Sequence, residues 1–140
     1  MNPNVLSQRY ATKEMNMIFS EEGKILYERE LWVSVLKAQK ELGIDISQDT
    51  ILAYEDAKEN IDLDLIKEIE LRTKHDVKAK IEAFNQAAGG IEYLHMCMTS
   101  RDLTDNVEQI QIKKLGVEVK LNSEVNIQII EEFQPDAVIF

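Results

Sequence analysis

The sequence predicts a mainly α fold that ends in a short β-α-β-like C-terminal tail. Over most of the chain, apolar residues recur every three or four positions, which is the spacing of one helical face. Residue types that cap helices stand just before these stretches. Since 44% of the 140 residues are hydrophobic, we expect one modest core.

The longest helix is predicted to begin after Ser20 and to stop at Gly43. A shorter helix follows, opened by Ser47 or Asp49 and ending near Asn60. Acidic residues in the first turn of the long helix suit the positive end of its macrodipole. The side chains of the long helix expected to face inward are Ile25, Leu26, Trp32, Val33, Val35, Leu36 and Leu42.

The segment RTKHDVK, residues 72–78, separates two further predicted helices. Asp62 can cap the helix before it, and Asp76 is predicted to cap the helix after it, which should end at the glycine pair 89–90. The side chains expected to face inward are Leu63, Ile66 and Ile69 in the first helix and Val77, Ile81, Phe84 and Ala88 in the second.

Thr99 and Asp102 have the spacing of a capping box and predict the start of a last long helix. From about Lys114 the pattern changes, because GVEVKLNSEV alternates as a strand does. NIQIIEEFQ can then form a short helix, and DAVIF a second strand. We therefore divide the chain into a helical domain, residues 1–113, and a β/α tail, residues 114–140.

Charge and composition exclude several classes of partner. The formal net charge is -10, whereas nucleic acids and anionic membrane surfaces require a basic patch, so neither is expected to bind. Cys97 is the only cysteine, which suits a reducing cytosol. No apolar run approaches the roughly 20 residues that span a bilayer. A cytoplasmic protein without a membrane segment is expected.

Three segments place polar side chains where a helix is predicted to begin: residues 7–10, 74–76 and 99–102. The start of a helix offers unpaired N–H groups and a partial positive charge, which favour phosphate or carboxylate. Arg9 adds a planar guanidinium suited to phosphate. If the three segments converge, they form a pocket for a small molecule with several negative charges.

Each of these residues also has a purely structural interpretation. Thr99 and Ser100 can be plain caps, and His75 can be a surface residue beside a cap. His95 can be a half-buried, hydrogen-bonded packing residue, and Arg9 can simply be solvated. No cysteine or histidine pair has the spacing of metal ligands, and no glycine-rich phosphate loop is present, so neither a metal nor a cofactor is expected.

Three stretches resemble the adenylosuccinate lyases in order and spacing: SQRYATKEMNMIFSEEGKILYERELWVSVLKAQKELG, EIELRTKHDVKAKIEAF and YLHMCMTSRDLTDNVEQIQIK. The resemblance covers about residues 4–113 and implies the N-terminal helical domain of the fumarase/aspartase superfamily. Other members, such as argininosuccinate lyase, also use Thr-Ser pairs. The Arg-Tyr and His-Asp-Val pieces favour the purine branch.

The resemblance implies roles for individual residues. Arg9 and Tyr10 match a pair near the phosphate end of the substrate, and His75 matches a residue near the reacting centre, which makes it the candidate catalytic residue. Thr99 and Ser100 match donors to the succinyl carboxylates. The full set of expected substrate-binding residues is Arg9, Tyr10, Lys74, His75, Asp76, His95, Thr99 and Ser100.

The family releases fumarate from adenylosuccinate, giving AMP, and from the related carboxamide ribotide SAICAR, by β-elimination in purine biosynthesis. The resemblance also implies a cytoplasmic homotetramer. The family's serine loop and central helical bundle find no match in these 140 residues, so we expect no turnover by this chain alone. Residues 114–140 depart from the family, as a truncation, a fusion or a frame artefact would.

Two alternatives stay open at this point. One is a non-catalytic helical interaction module. The other is a fragment of another superfamily lyase, such as argininosuccinate lyase.

Overall fold

The computed structural model describes residues 4–118, 122, 124 and 126–134, and within them the chain is helical, with no strand. The prediction of a mainly α fold is confirmed. The short helix predicted in the tail forms. Of the strand predicted in residues 116–125, positions 116–118, 122 and 124 are described and none of them lies in a strand, and the strand predicted in residues 136–140 lies outside the described residues. The helices are α1 Val5–Tyr10, α2 Lys13–Ile18, α3 Glu21–Glu41, α4 Gln48–Ala57, α5 Leu63–Thr73, α6 Asp76–Ala87, α7 Ser100–Lys114 and α8 Ile127–Phe133.

The long helix α3 begins and ends as its sequence predicts. The Ser20 hydroxyl accepts a hydrogen bond from the Gly23 N–H at 2.9 Å, and Gly43 just beyond the helix has a φ of +92°. The predicted inward stripe is wrong at Leu42, which is 85% exposed. Leu42 is the C-cap residue, so it no longer follows the helical face that packs on the core.

The core forms where α3, α4, α6 and α7 meet. Trp32 on α3, Tyr54 on α4 and Phe84 on α6 are all essentially inaccessible, and the Tyr54 and Phe84 rings meet edge to face at 5.1 Å. Burying side chains of this size stabilises the fold by about 1.5–3 kcal/mol each. A second cluster lies where α5 and α6 pack beside α3 and contains Ile25, Ile66, Ile69, Ala79 and Ala83.

Arg29 is buried in this apolar setting because it satisfies the end of α4. Its Nη1 donates to the carbonyl oxygens of Ala57 at 2.8 Å, Lys58 at 3.1 Å and Asn60 at 2.8 Å. Its guanidinium also lies 4.4 Å from the centre of the Phe84 ring. Burial lowers the pKa of Arg29 to about 10, so the side chain stays cationic at neutral pH. One cation therefore closes the C-terminal end of α4 against α3.

Two further polar contacts join helices that are distant in sequence. Glu28 on α3 is fully buried and accepts a hydrogen bond from Lys80 on α6 at 2.8 Å. The side chain of Gln111 on α7 donates to the Ile18 carbonyl at the end of α2, also at 2.8 Å. The first contact fixes α6, and the second fixes α7, relative to the N-terminal half of the chain.

Candidate anion-binding site

His75 is the N-cap residue of α6, which it precedes by one position. Its Nδ1 accepts a hydrogen bond from the Lys78 N–H at 3.3 Å, as the oxygen of a serine or aspartate would. The prediction that Asp76 is the cap is therefore wrong, because Asp76 is already the first residue of the helix. The cause is the tight α5–α6 turn: Lys74 ends α5 in the left-handed region, with φ +53°, so the extended position falls on His75.

The two charged neighbours of His75 are both exposed. Asp76 lies in the first turn of α6, where a carboxylate suits the macrodipole, with one oxygen 3.9 Å from Lys80. Its other oxygen is 3.6 Å from His75 Nδ1, a pair that carries opposite charges only when the histidine is protonated. For the Lys74 ammonium, the described part of the chain provides no ion pair. Lys74 is thus available to an anion.

Thr99 begins α7 with the predicted capping box. Its hydroxyl accepts from the Asp102 N–H at 3.3 Å and donates to Asp102 Oδ2 at 3.0 Å, while its own N–H donates to the same carboxylate at 2.6 Å. The backbone N–H and then the hydroxyl of Thr99 lower the pKa of Asp102. The capping box is confirmed, and it occupies both the donor and an acceptor position of the Thr99 hydroxyl.

Ser100 differs from Thr99 although it is the next residue. It is the first residue of α7, is half-buried, and its hydroxyl makes no hydrogen bond to any residue that the structure describes. At this position the unpaired N–H groups of the first helical turn point out of the helix start. Ser100 therefore offers a free hydroxyl donor beside them.

His95 lies in the loop between α6 and α7, in the left-handed region with φ +67°. Its Nδ1 accepts a hydrogen bond from Trp32 Nε1 at 3.1 Å, and the two rings meet nearly at right angles. This confirms the interpretation of His95 as a half-buried, hydrogen-bonded residue. Burial lowers the pKa of His95, the Asp102 charge opposes this effect, and the His75 charge adds to it. His75 and Asp102 thus lie close enough to act on His95.

Arg9 and Tyr10 do not stand at a helix start, contrary to prediction. The first helix begins after Asn4, so both residues form the C-terminal end of α1. Tyr10 is 76% exposed and Arg9 is exposed as well. Among the described residues, no hydrogen bond or ion pair links either side chain to His75, His95 or the start of α7. A cation in the last turn of a helix suits the macrodipole, which is the structural role that Arg9 has here.

The gathered groups can bind an anion. Around His95 lie the start of α6 with His75 and the start of α7 with Ser100, and Lys74 precedes the first of these. The Asp102 carboxylate is turned back onto Thr99, whereas the Asp76 carboxylate lies 3.6 Å from His75 Nδ1 at the start of α6. An open surface depression lined by Lys67, Glu70, Leu71 and Lys74 lies along α5, and of the expected binding residues it includes only Lys74.

Sequence patterns missed the part that Trp32 plays in this site. Its position in the apolar stripe identifies it as a core residue, which is correct for the ring. A buried indole N–H usually needs a hydrogen-bond acceptor, so the sequence could have indicated that Trp32 has a polar partner. The partner, His95, could not be identified from spacing, because 63 positions separate the two residues.

The described residues also bear on metal binding and on membrane insertion. They contain no group of three or more histidine, cysteine, aspartate or glutamate side chains able to hold a metal ion. None of the described helices is both long and apolar enough to cross a membrane.

No protein-family model matches the chain, but individual proteins do. It is 32% identical over 111 residues to adenylosuccinate lyase from Schistosoma mansoni, covering 79% of this chain and 23% of that protein. It is 34% identical over 118 residues to the adenylosuccinate lyase from Methanocaldococcus jannaschii, and the match covers 78% of this chain and 24% of that protein. It is 35% identical over 116 residues to the adenylosuccinate lyase from Saccharomyces cerevisiae, and the match covers 77% of this chain and 23% of that protein. The chain thus spans about a quarter of the length of these relatives, and the resemblance seen in the sequence is confirmed.

Proposed function

This chain is related to the N-terminal part of the adenylosuccinate lyases, and we propose that it provides one wall of such an enzyme's substrate site. The observation that carries the proposal is that the start of α6, capped by His75, and the start of α7, with the Ser100 hydroxyl, both lie near His95. Two helix starts favour an anion here, those of α6 and α7. The Ser100 hydroxyl and the Lys74 ammonium, which have no partner among the described residues, add a donor and a positive charge. These groups favour an anion although the chain as a whole has a net charge of -10.

Within this proposal the donors have different roles. Ser100 and the N–H groups beside it bind a carboxylate of the succinyl group, and Lys74 adds a positive charge. Thr99 and Asp102 shape the helix start without donating outward, because they bond to each other. His75 lies near the reacting centre. Donors held in place at the carboxylate stabilise the charge that develops when the neighbouring carbon loses its proton, which is commonly the largest catalytic contribution.

The remaining functional features of the family are proposals for the whole protein. These are fumarate release from adenylosuccinate and from SAICAR in purine biosynthesis, a cytoplasmic location and a homotetrameric state. The proton-abstracting base and the acid that protonates the leaving nitrogen would come from segments that do not match this chain. Arg9 and Tyr10 would bind the phosphate end if the assembly brings α1 to the site. The isolated chain is therefore expected to bind ligand without turning it over.

We also propose the division into a lyase-like unit over residues 1–113 and a separate tail over residues 114–140. The similarity to the relatives covers 77–79% of the chain, which is close to the share that a unit of this length would have.

Calorimetric titration of the folded chain with AMP and with adenylosuccinate tests the proposal. A hydrogen bond to a charged group contributes about 1.5–3 kcal/mol, so Ser100→Ala should weaken adenylosuccinate binding by about ten- to a hundredfold. Ser34→Ala is the matched control, because Ser34 lies on the exposed face of α3 and its hydroxyl bonds only to the Glu30 carbonyl. Equal affinities for the two variants, or no binding of either ligand, would reject the proposal. Steady fumarate release would reject the expected lack of turnover.

A second candidate function, a helical interaction module, is favoured by the apolar surface of the first two helices. Val5 is 56%, Leu6 66%, Met17 68% and Phe19 45% exposed. Apolar surface of this kind marks contact sites in folded proteins. Sedimentation at increasing protein concentration, with and without AMP, separates the two functions. Association without any nucleotide binding would favour the interaction module.

A further inference from the structure

Both histidines of this chain use Nδ1 as a hydrogen-bond acceptor. His95 Nδ1 accepts from Trp32 Nε1 at 3.1 Å, and His75 Nδ1 accepts from the Lys78 N–H at 3.3 Å. A neutral imidazole carries its proton on one nitrogen only, so a ring whose Nδ1 accepts must carry the proton on Nε2.

The donor to His95 belongs to the buried core. Trp32 is 1% exposed and packs against Phe84, with the ring centres 6.3 Å apart. The indole N–H can donate but never accept, so it can only bind a nitrogen that carries no proton. His95 sits on a loop, and its ring is therefore oriented by α3 rather than by its own segment.

We infer that Trp32 is a positioning residue for the anion site: its indole N–H holds His95 neutral, with the proton on Nε2, so that His95 serves as a hydrogen-bond donor. That His95 donates to an anion rests on the proposed function, whereas the tautomer follows from the Trp32 contact alone. A neutral Nε2–H suits a carboxylate or phosphate oxygen, since it donates without bringing a second charge to be desolvated.

Protonation of His95 would break this arrangement. A proton on Nδ1 would face the Trp32 N–H, and two donors cannot share a hydrogen bond. The charged groups that act on His95 are Asp102 from α7, which favours the protonated ring, and His75 from the start of α6, which opposes it. Burial also disfavours the protonated ring and has the largest effect on the pKa of His95. The hydrogen bond from Trp32 and the burial therefore both favour the neutral ring.

The inference is tested on the ligand-free chain by nitrogen-15 NMR of the two imidazole rings, assigned with His75→Gln and His95→Gln. In the parent chain His95 should be in the Nε2–H form over the whole pH range in which it is neutral. Trp32→Phe keeps an aromatic ring and removes the donor. It should admit the Nδ1–H tautomer and raise the pKa of His95 towards its ordinary value of 6.5.

Phe84→Leu is the matched control, because it loosens the same core while keeping the indole N–H. An Nδ1–H tautomer in the parent chain would overturn the inference. So would an unchanged tautomer and pKa in Trp32→Phe, or equal changes in Phe84→Leu, since these would reveal a general packing effect.

A second measurement covers the case in which Trp32→Phe does not fold. The chain has a single tryptophan, so its indole N–H gives one resonance. His95→Ala should move this resonance and speed its exchange with solvent, while His75→Ala should leave it in place. An unmoved resonance in His95→Ala would overturn the inference. Because no ligand is present, these outcomes are independent of the calorimetric test of the proposed function.

Discussion

The neighbouring hydroxyls at the start of α7 are expected to differ in what they stabilise. Replacing an N-cap threonine by alanine costs about 0.5–2 kcal/mol. The bond from the Asp102 N–H to Thr99 is long, at 3.3 Å, and the reverse bond from the Thr99 N–H at 2.6 Å survives the substitution. We therefore expect Thr99→Ala to lower the free energy of unfolding by about 1 kcal/mol, in the middle of that range.

Ser100→Ala should change the free energy of unfolding by less than about 0.5 kcal/mol, the usual effect of a substitution that removes no contact. The reason is that the Ser100 hydroxyl has no partner among the described residues. Urea denaturation followed by circular dichroism and by Trp32 fluorescence measures both variants. At the thermal midpoint, the loss in Thr99→Ala corresponds to a decrease of about 4 °C.

Ligand binding should show the reverse order. Ser100→Ala should weaken adenylosuccinate binding, and Thr99→Ala should weaken it less, because the Thr99 hydroxyl already donates to Asp102. If Ser100→Ala destabilises the fold as much as Thr99→Ala does, the Ser100 hydroxyl is structural and the reasoning fails. If Thr99→Ala has no effect on stability, the capping box does not contribute as the geometry indicates.

Three further predictions concern the buried polar groups. Arg29→Met should lower the free energy of unfolding by more than about 3 kcal/mol, because it leaves carbonyl oxygens unpaired; urea denaturation measures this, and near-parental stability would contradict it. Burial raises the pKa of Glu28, so the stability it contributes is present below pH 4.5, its ordinary pKa, and is lost as the pH rises through the raised value. The Glu28→Gln variant does not titrate at this position, so it should gain stability relative to the parent chain as the pH rises from 4.5 through the raised pKa, and a difference that stays constant with pH would refute this. Gln111→Leu should cost about 1–3 kcal/mol and speed hydrogen exchange in α2 but not in α4, and equal exchange in both helices would show that the bond to Ile18 is dispensable.

The starts of the helices could be predicted because caps are local. Ser20, Asp62 and Thr99 were expected as caps, and of the two candidates Ser47 and Asp49 the structure selects Ser47. Each of the four caps accepts a hydrogen bond from the backbone N–H three residues later. The sequence also carried the segments of the lyase resemblance, which the relatives confirm. The error at Asp76 shows the limit of local patterns, because histidine is an uncommon cap and the turn after Lys74 decided the register.

The sequence only partly distinguished which of the expected site residues can bind a ligand and which have a structural role. The resemblance assigns Thr99 and Ser100 the same role, whereas the structure pairs the Thr99 hydroxyl with Asp102 and leaves the Ser100 hydroxyl without a partner among the described residues. Arg9 was expected at a helix start and instead lies at a helix end, because Asn4 caps α1 earlier than the pattern indicated.

By itself, the sequence determined the helical class, most of the caps and the resemblance to the lyases, since each depends on residues close together in the chain. Only the tertiary structure decided which polar groups are buried and what they bind. Trp32 meets His95 across 63 positions, and Gln111 meets Ile18 across 93. A polar group removed from water is stable only beside a suitable partner, and folding rather than sequence spacing brings that partner to it.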